Sequence, residues 1–207
     1  MAGLFTPSHS QIYKYVRLED GLSSRNVYAV QQSNGGFMWF LTDNGIDRYD
    51  GTNISNYTVK VGGHQFTEYS TSRFVYDKLE DNLWLVTNLG RVIHYNKRIN
   101  AFEVVFFPQI TADNSDIFES AVSPIDQQGN IWIFIKNEAF CYNVRTLEGR
   151  SIQLDTPRDS ITYSAIVSRD DSTLFIGGKG GMYTGSIKGD SISIRPMEEL
   201  QSRLIGA

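Results

Sequence analysis

One pattern of apolar and polar positions recurs along the chain. A short strand comes first, then a polar turn rich in Gly, Asp or Asn. An apolar run centred on an aromatic residue follows, then another polar turn, then a strand carrying Tyr. The first copy runs through Asn26–Val30, the turn Ser33–Gly36, the run Phe37–Leu41 and the segment Thr42–Gly51. The second holds Glu80–Gly90 and then Val92–Tyr95; the third holds Asp126–Phe134 and then Ala139–Tyr142. The fourth holds Asp170–Gly177 and then Gly181–Tyr183, with Phe175 where the others have Trp. The central runs, Ile131–Ile135 most clearly, are apolar at consecutive positions. A strand with one wet face alternates, so consecutive apolar residues mean that both faces are covered. Ser191–Ile194 alternates, as an outer strand with one wet side does.

The aromatic centres fall at residues 39, 84, 132 and 175. A period of about 40–50 residues with four strands per unit is the mark of a β-propeller. The expected fold is therefore all-β, a β-propeller fragment of about four blades with four antiparallel strands per blade. The turns agree, since Asn34-Gly35-Gly36, Gln127-Gln128-Gly129 and Asp50-Gly51 accept positive φ. The expected layout has residues 1–10 as a tail and 11–207 as a partial propeller. Its blades cover about 24–60, 70–108, 117–154 and 161–196, and 197–207 begin a next blade or form a short helix. Ile12–Leu18 alternates with period two and is expected to complete the edge of another blade. An open arc would expose an apolar blade face, which predicts self-association or an unusual four-blade closure.

Composition narrows the functions. The chain has 207 residues, 41% hydrophobic, enough for a packed core and too apolar for disorder. A net charge of -4 with scattered Lys and Arg argues against nucleic acid as a partner. The single cysteine, Cys141, sits in an apolar run and reads as a small buried hydrophobe. No apolar run approaches the roughly 20 residues of a membrane helix, and residues 1–10 carry no export signal.

Candidate chemistry is thin. His9, His64 and His94 lack metal-ligand spacing, so no metal or cofactor is expected. The loop carboxylates Glu19, Asp20, Asp43, Asp47, Asp50 and Glu138 show no catalytic pairing, and no catalytic residue is assigned. Gly177–Gly181 lacks the Gly-Lys-Ser/Thr ending of a phosphate loop. The Trp residues lie in continuous apolar strands and read as core. Ligand contact falls instead to the loops on the face where each innermost strand begins. Those loops bring Asp43, Asn44, Gln65, Tyr69, Asn88, Asn137, Glu138 and Lys179 to one rim, a set suited to sugar hydroxyls.

Leu18–Val27, with its Asp-Gly-Leu-Ser turn, and Gly36–Gly51, with Gly-x-x-Trp, Thr-x-x-Gly and Tyr-Asp-Gly, resemble the two-component regulator propeller family. The resemblance is strong over residues 11–57 and weakens in later copies; the third has Lys136-Asn137-Glu138 where Thr-x-x-Gly is expected. It implies the periplasmic sensor region of a hybrid histidine kinase anchored in the inner membrane. It also implies that an oligosaccharide is sensed and that transcription is controlled by domains outside this chain. Propellers of that family commonly have seven blades, so four copies suggest a piece of a larger one. The chain itself is expected not to be an enzyme. The alternatives are a protein–protein interaction or dimerisation scaffold and, further off, a propeller hydrolase or lyase.

Overall fold

The computed structural model describes residues 14–110, 120–156 and 162–197. They are all-β, as the pattern predicts, and fold as four antiparallel meanders in chain order. The first holds β1 (Val27–Gln32), β2 (Met38–Thr42), β3 (Gly45–Tyr49) and β4 (Ile54–Tyr57). A small hairpin, β5 (Lys60–Val61) and β6 (His64–Gln65), leads to the second: β7 (Arg73–Asp77), β8 (Asn82–Val86), β9 (Val92–Asn96) and β10 (Ala101–Phe106). The third is β11 (Ser120–Val122), β12 (Asn130–Ile135), β13 (Glu138–Asn143) and β14 (Glu148–Asp155). The fourth is β15 (Tyr163–Asp170), β16 (Thr173–Gly178), β17 (Gly181–Lys188) and β18 (Ser191–Pro196). The tail expected at 1–10 and nearly all of 197–207 lie outside the described residues.

Side-chain parity explains how the meanders stack. Successive residues of a strand point to opposite faces. Trp39, Leu41 and Ile46 of the first meander pack against Leu83, Leu85 and Ile93 of the second. The alternate residues of that second meander, Val75, Trp84 and Val86, pack against Ile131, Ile133 and Ile135 of the third. Trp132 and Phe134 then face Leu174, Ile176 and Tyr183 of the fourth. Each core therefore lies between two meanders, which is why the middle strands are apolar at every position. The register repeats as well: Trp39 pairs with Arg48, Trp84 with His94, Trp132 with Cys141 and Phe175 with Thr184. All three Trp side chains are buried, whereas Phe175 is half-buried on the outer face of the last meander, under the Arg169 guanidinium.

Two expectations are corrected. The third and fourth meanders are not separate four-stranded sheets, because β14 pairs in parallel with β18 to make one sheet of eight strands. β14 outruns β13, leaving Gln153–Asp155 free to pair with Ser191–Ser193. Arg195 on Asp155 at 2.7 Å and Arg150 on Asp190 at 2.9 Å fasten the join. The edge strand expected over Ile12–Leu18 is also absent from its described part, which is irregular and then a 3-10 turn at Leu18–Asp20. Asp20 Oδ2 accepts the Arg17 N–H at 2.9 Å and turns the chain there. Beyond this turn Ser23 settles on buried Asp47, giving it both its N–H and its hydroxyl at 2.8 Å. Asn56 Nδ2 donates to the other carboxylate oxygen at 2.7 Å.

Two buried groups give measurable consequences. Cys141 is enclosed, and burial pushes its thiol up to about 11. The thiolate is the nucleophile, so iodoacetamide near neutral pH is expected to label Cys141 only after denaturant is added. Rapid labelling of the native chain, read by mass spectrometry, would contradict that burial. His94 stacks on Trp84 at 4.1 Å, and its buried Nε2 meets no partner. Desolvation lowers its pKa from the ordinary value. The folded state therefore resists a proton that the unfolded chain takes up below about pH 6.5. Stability contributed by neutral His94 is complete above that pH and is lost as pH falls towards the lower folded value. Urea midpoints at neutral and mildly acidic pH are expected to show this loss, and His94→Phe to reduce it. An unchanged pH dependence in the variant would sink the assignment.

Candidate functional site

The rim candidates lie at turns and strand ends, and all but one reach the surface or a half-buried position. Asp43 and Asn44 form the exposed β2–β3 turn. The Tyr28 hydroxyl and then the Asn26 amide, at 2.6 Å, hold the Asp43 carboxyl below the usual carboxylate range. Asn44 donates to the Ser23 carbonyl at 2.7 Å. Gln65 is exposed on β6, half-buried Asn88 lies in the β8–β9 turn, and Lys179 is exposed in the β16–β17 turn. Asn137 and Glu138 line a shallow groove of about 370 Å³ with Gln109 and Gln153. Tyr69 is the exception. It is 1% exposed, its ring meets Phe66 at 4.7 Å, and its hydroxyl accepts the Val59 N–H at 3.0 Å. Tyr69 is core and is not available to a rim ligand.

The better-formed cleft lies at the opposite ends of the strands, between the first and second meanders. Its volume is about 320 Å³. The β1–β2 turn brings Ser33 and Phe37, the β7–β8 turn brings Asp81, and the β9–β10 turn brings Lys97 and Asn100. Trp39, Leu83 and Tyr95 supply its apolar floor. The two meanders are stitched at its mouth. The Asn34 N–H donates to Tyr76 Oη at 2.6 Å and to Asp81 Oδ1 at 3.0 Å, and Asn34 Nδ2 to the Lys78 carbonyl at 2.7 Å.

Arg48 is the central polar group. It stands on β3 opposite Trp39, in the slot held by His94, Cys141 and Thr184 in the other meanders. Of these four side chains it alone carries a permanent charge. Its guanidinium lies 4.8 Å from the Phe37 ring centre, 5.6 Å from that of Trp39 and 5.5 Å from that of Tyr57. Nη1 donates to Tyr95 Oη at 2.8 Å. Asn100 Oδ1 accepts both the Tyr57 hydroxyl at 2.8 Å and the Tyr95 hydroxyl at 2.6 Å. Burial pushes the Tyr95 hydroxyl up to about 12, so it remains a donor at ordinary pH. Lys97 pairs with Asp81 at 3.2 Å.

This arrangement suits recognition. Amide, hydroxyl, carboxylate and cationic groups surround an aromatic floor, the usual make-up of a small-molecule site. One carboxylate lines the cleft, where glycoside hydrolysis needs two facing one bond. Among the described residues no three His, Cys, Asp or Glu side chains cluster to hold a metal. Sequence reasoning missed this cleft. The usable signal was the register, which puts a charged residue opposite a core Trp in the first copy alone.

No protein-family model matches the chain, and no curated protein does. Solved structures do. One is the extracellular domain of a putative hybrid two-component system, BT3049 of B. thetaiotaomicron. It has a TM-score of 0.59 at 19% identity, over 89% of this chain and 26% of that one. Another is the extracellular domain of the putative one component system BT4673 of the same organism. Its TM-score is 0.59 at 14% identity, over 84% of this chain and 22% of that one. A third is U3-55K, with a TM-score of 0.54 at 9% identity, over 83% of this chain and 52% of that one. Likeness at these identities establishes shared fold. The chain spans about a quarter of the length of the two extracellular domains. Among its described residues, no helix is long and apolar enough to cross a membrane.

Proposed function

We propose that the chain is four consecutive blades of a β-propeller and serves as a ligand-sensing module in the extracytoplasmic, periplasmic region of a hybrid two-component sensor. The observation that carries this reading is the fold it shares with about a quarter of the extracellular domain of BT3049, a putative hybrid two-component system, and of that of BT4673. The stacking supports an arc that continues. Every internal core is sandwiched between meanders, while the outer faces of the first and last still expose Val30, Val167 and Met182. Those faces meet further blades of a longer chain, or a second copy when the chain stands alone. A carbohydrate is the proposed signal, because the Arg48 cleft offers donors, acceptors and an aromatic floor within the volume of one or two sugar rings. Ligand binding would favour one arrangement of adjoining blades or domains, and a histidine kinase in the parent protein would read that bias.

Calorimetric titration of the chain with a panel of oligosaccharides tests the reading. At least one saturable binding curve is expected. None across the panel, with the chain folded by circular dichroism, would remove the glycan from the proposal. A second reading, an interaction scaffold, is favoured by one observation. Leu79, Ile99 and Leu147 stand exposed at turn tips on the cleft side, Leu79 at 84%. Apolar tips of that kind suit a protein partner.

A further inference from the structure

Arg48 holds a charge that no carboxylate in direct contact matches. The more distant Asp50 feels it, and is held below its ordinary range first by the Asn53 N–H and in smaller part by this charge. Nη1–Tyr95 is the one hydrogen bond of its guanidinium among the described residues, and Nε is buried with no acceptor. No ion pair reaches it, although five other pairs form in the described chain. The flanking rings stabilise the cation in part. A partly desolvated guanidinium still favours an oxygen anion, and its planar fork fits a carboxylate in particular.

The rest of the cleft selects among anions. Lys97 and Asp81 neutralise one another at 3.2 Å, so the lining carries one net positive charge, that of Arg48. A monoanion matches that balance. A phosphate dianion would add a second charge near the Asp81 carboxylate. Ser33, Asn100 and Asp81 offer partners for hydroxyls, and Phe37 and Leu83 offer apolar surface for the C–H face of a ring. We infer that the cleft receives an acidic sugar, a uronic acid residue, with its carboxylate on Arg48 and its ring between the first and second meanders. This rests on the glycan reading above and assigns the sugar class. It also makes the ligand a bridge, since Arg48 and Phe37 come from the first meander and Asp81 and Asn100 from the second.

The test compares glucuronate and galacturonate with glucose and galactose, with acetate as the bare carboxylate. Binding to the full chain is followed by calorimetry. Each uronate is expected to bind at least about tenfold more tightly than its neutral counterpart, and the advantage is expected to shrink in high salt. Arg48→Gln is expected to erase the advantage, and Arg48→Lys to keep part of it. Equal binding of acid and neutral sugars, or a preference that survives Arg48→Gln, would overturn the inference while leaving the glycan reading intact. Binding of acetate as tightly as uronate would keep the charge assignment and overturn the sugar. Binding of none of the probes would overturn the inference, and the glycan reading would then stand or fall on the wider panel. Should Arg48→Gln fail to fold, the salt dependence in the unmodified chain decides, and a salt-insensitive preference overturns the inference.

Discussion

Replacing Trp84 with alanine is expected to lower the unfolding free energy by about 3–5 kcal/mol. Trp84 is 1% exposed at the junction of the second and third meanders. It stacks on His94 and stands 5.7 Å from the Tyr142 ring centre. Truncation removes contacts from both sides of the junction at once, and neither sheet can close the gap without leaving its other neighbour. Domains of this size hold about 5–15 kcal/mol in total, so urea denaturation followed by circular dichroism reads the effect directly. Leu79→Ala, at an exposed turn tip, is expected to stay within about 0.5 kcal/mol. Phenylalanine sharpens the argument. The Trp84 indole N–H is buried without a partner, whereas Trp132 Nε1 donates to Asp126 Oδ2 at 3.0 Å. Trp84→Phe removes an unsatisfied donor, and Trp132→Phe strips a carboxylate of one. The second is therefore expected to cost more by about 1 kcal/mol. The reverse order would mean that the two indoles are not placed as described.

The parts of the fold legible in the sequence are those that depend on neighbouring residues alone. Ile131–Ile135 is apolar at every position because one parity faces the second meander and the other faces the fourth, and a strand covered on both faces needs such a run. The recurring Trp and its flanking turns located the strands for the same reason. What escaped depends on geometry between distant segments. The parallel join of β14 to β18 follows from an overhang of three residues and the ion pairs across it, and nothing local to Gln153–Asp155 announces it. Tyr69 sits in a polar connection, so it reads as a rim residue. The β5–β6 hairpin returns the chain upon itself and turns that side chain inward. Arg48 immediately precedes the Tyr49-Asp50-Gly51 turn and looks like one more turn-proximal charge. Its standing as the polar centre of a cleft comes from having no carboxylate in direct contact among the described residues, which only the assembled neighbours reveal. The site was thus harder to read than the fold, because a binding site is a statement about which groups remain unpaired.

The motif turn that precedes Arg48 yields the second large effect. Gly45→Ala is expected to destabilise the chain by on the order of 3 kcal/mol or more. Gly45 opens β3 at φ +144, a conformation that side chains other than glycine rarely adopt. A Cβ there would stand 2.3 Å from the Tyr57 carbonyl oxygen, which belongs to the paired strand β4 and cannot step aside as a flexible side chain would. Relief requires β3 and β4 to separate. The same turn anchors the loop before β1, since Thr42 Oγ1 donates to the Gly45 carbonyl at 3.1 Å and shares a hydrogen bond with Ser23 Oγ at 2.8 Å. Gly36→Ala is the control. Gly36 also has positive φ, at +81, but no atom within 4 Å of the added carbon, so only the backbone penalty of about 1–2 kcal/mol applies. Thermal melts of the two variants separate the clash from the conformational cost. Equal losses would show that β4 gives way without penalty. A larger loss for Gly45→Ala, with weakened uronate binding in the still-folded fraction, would show that this turn sets the position of β3 and, through it, of Arg48.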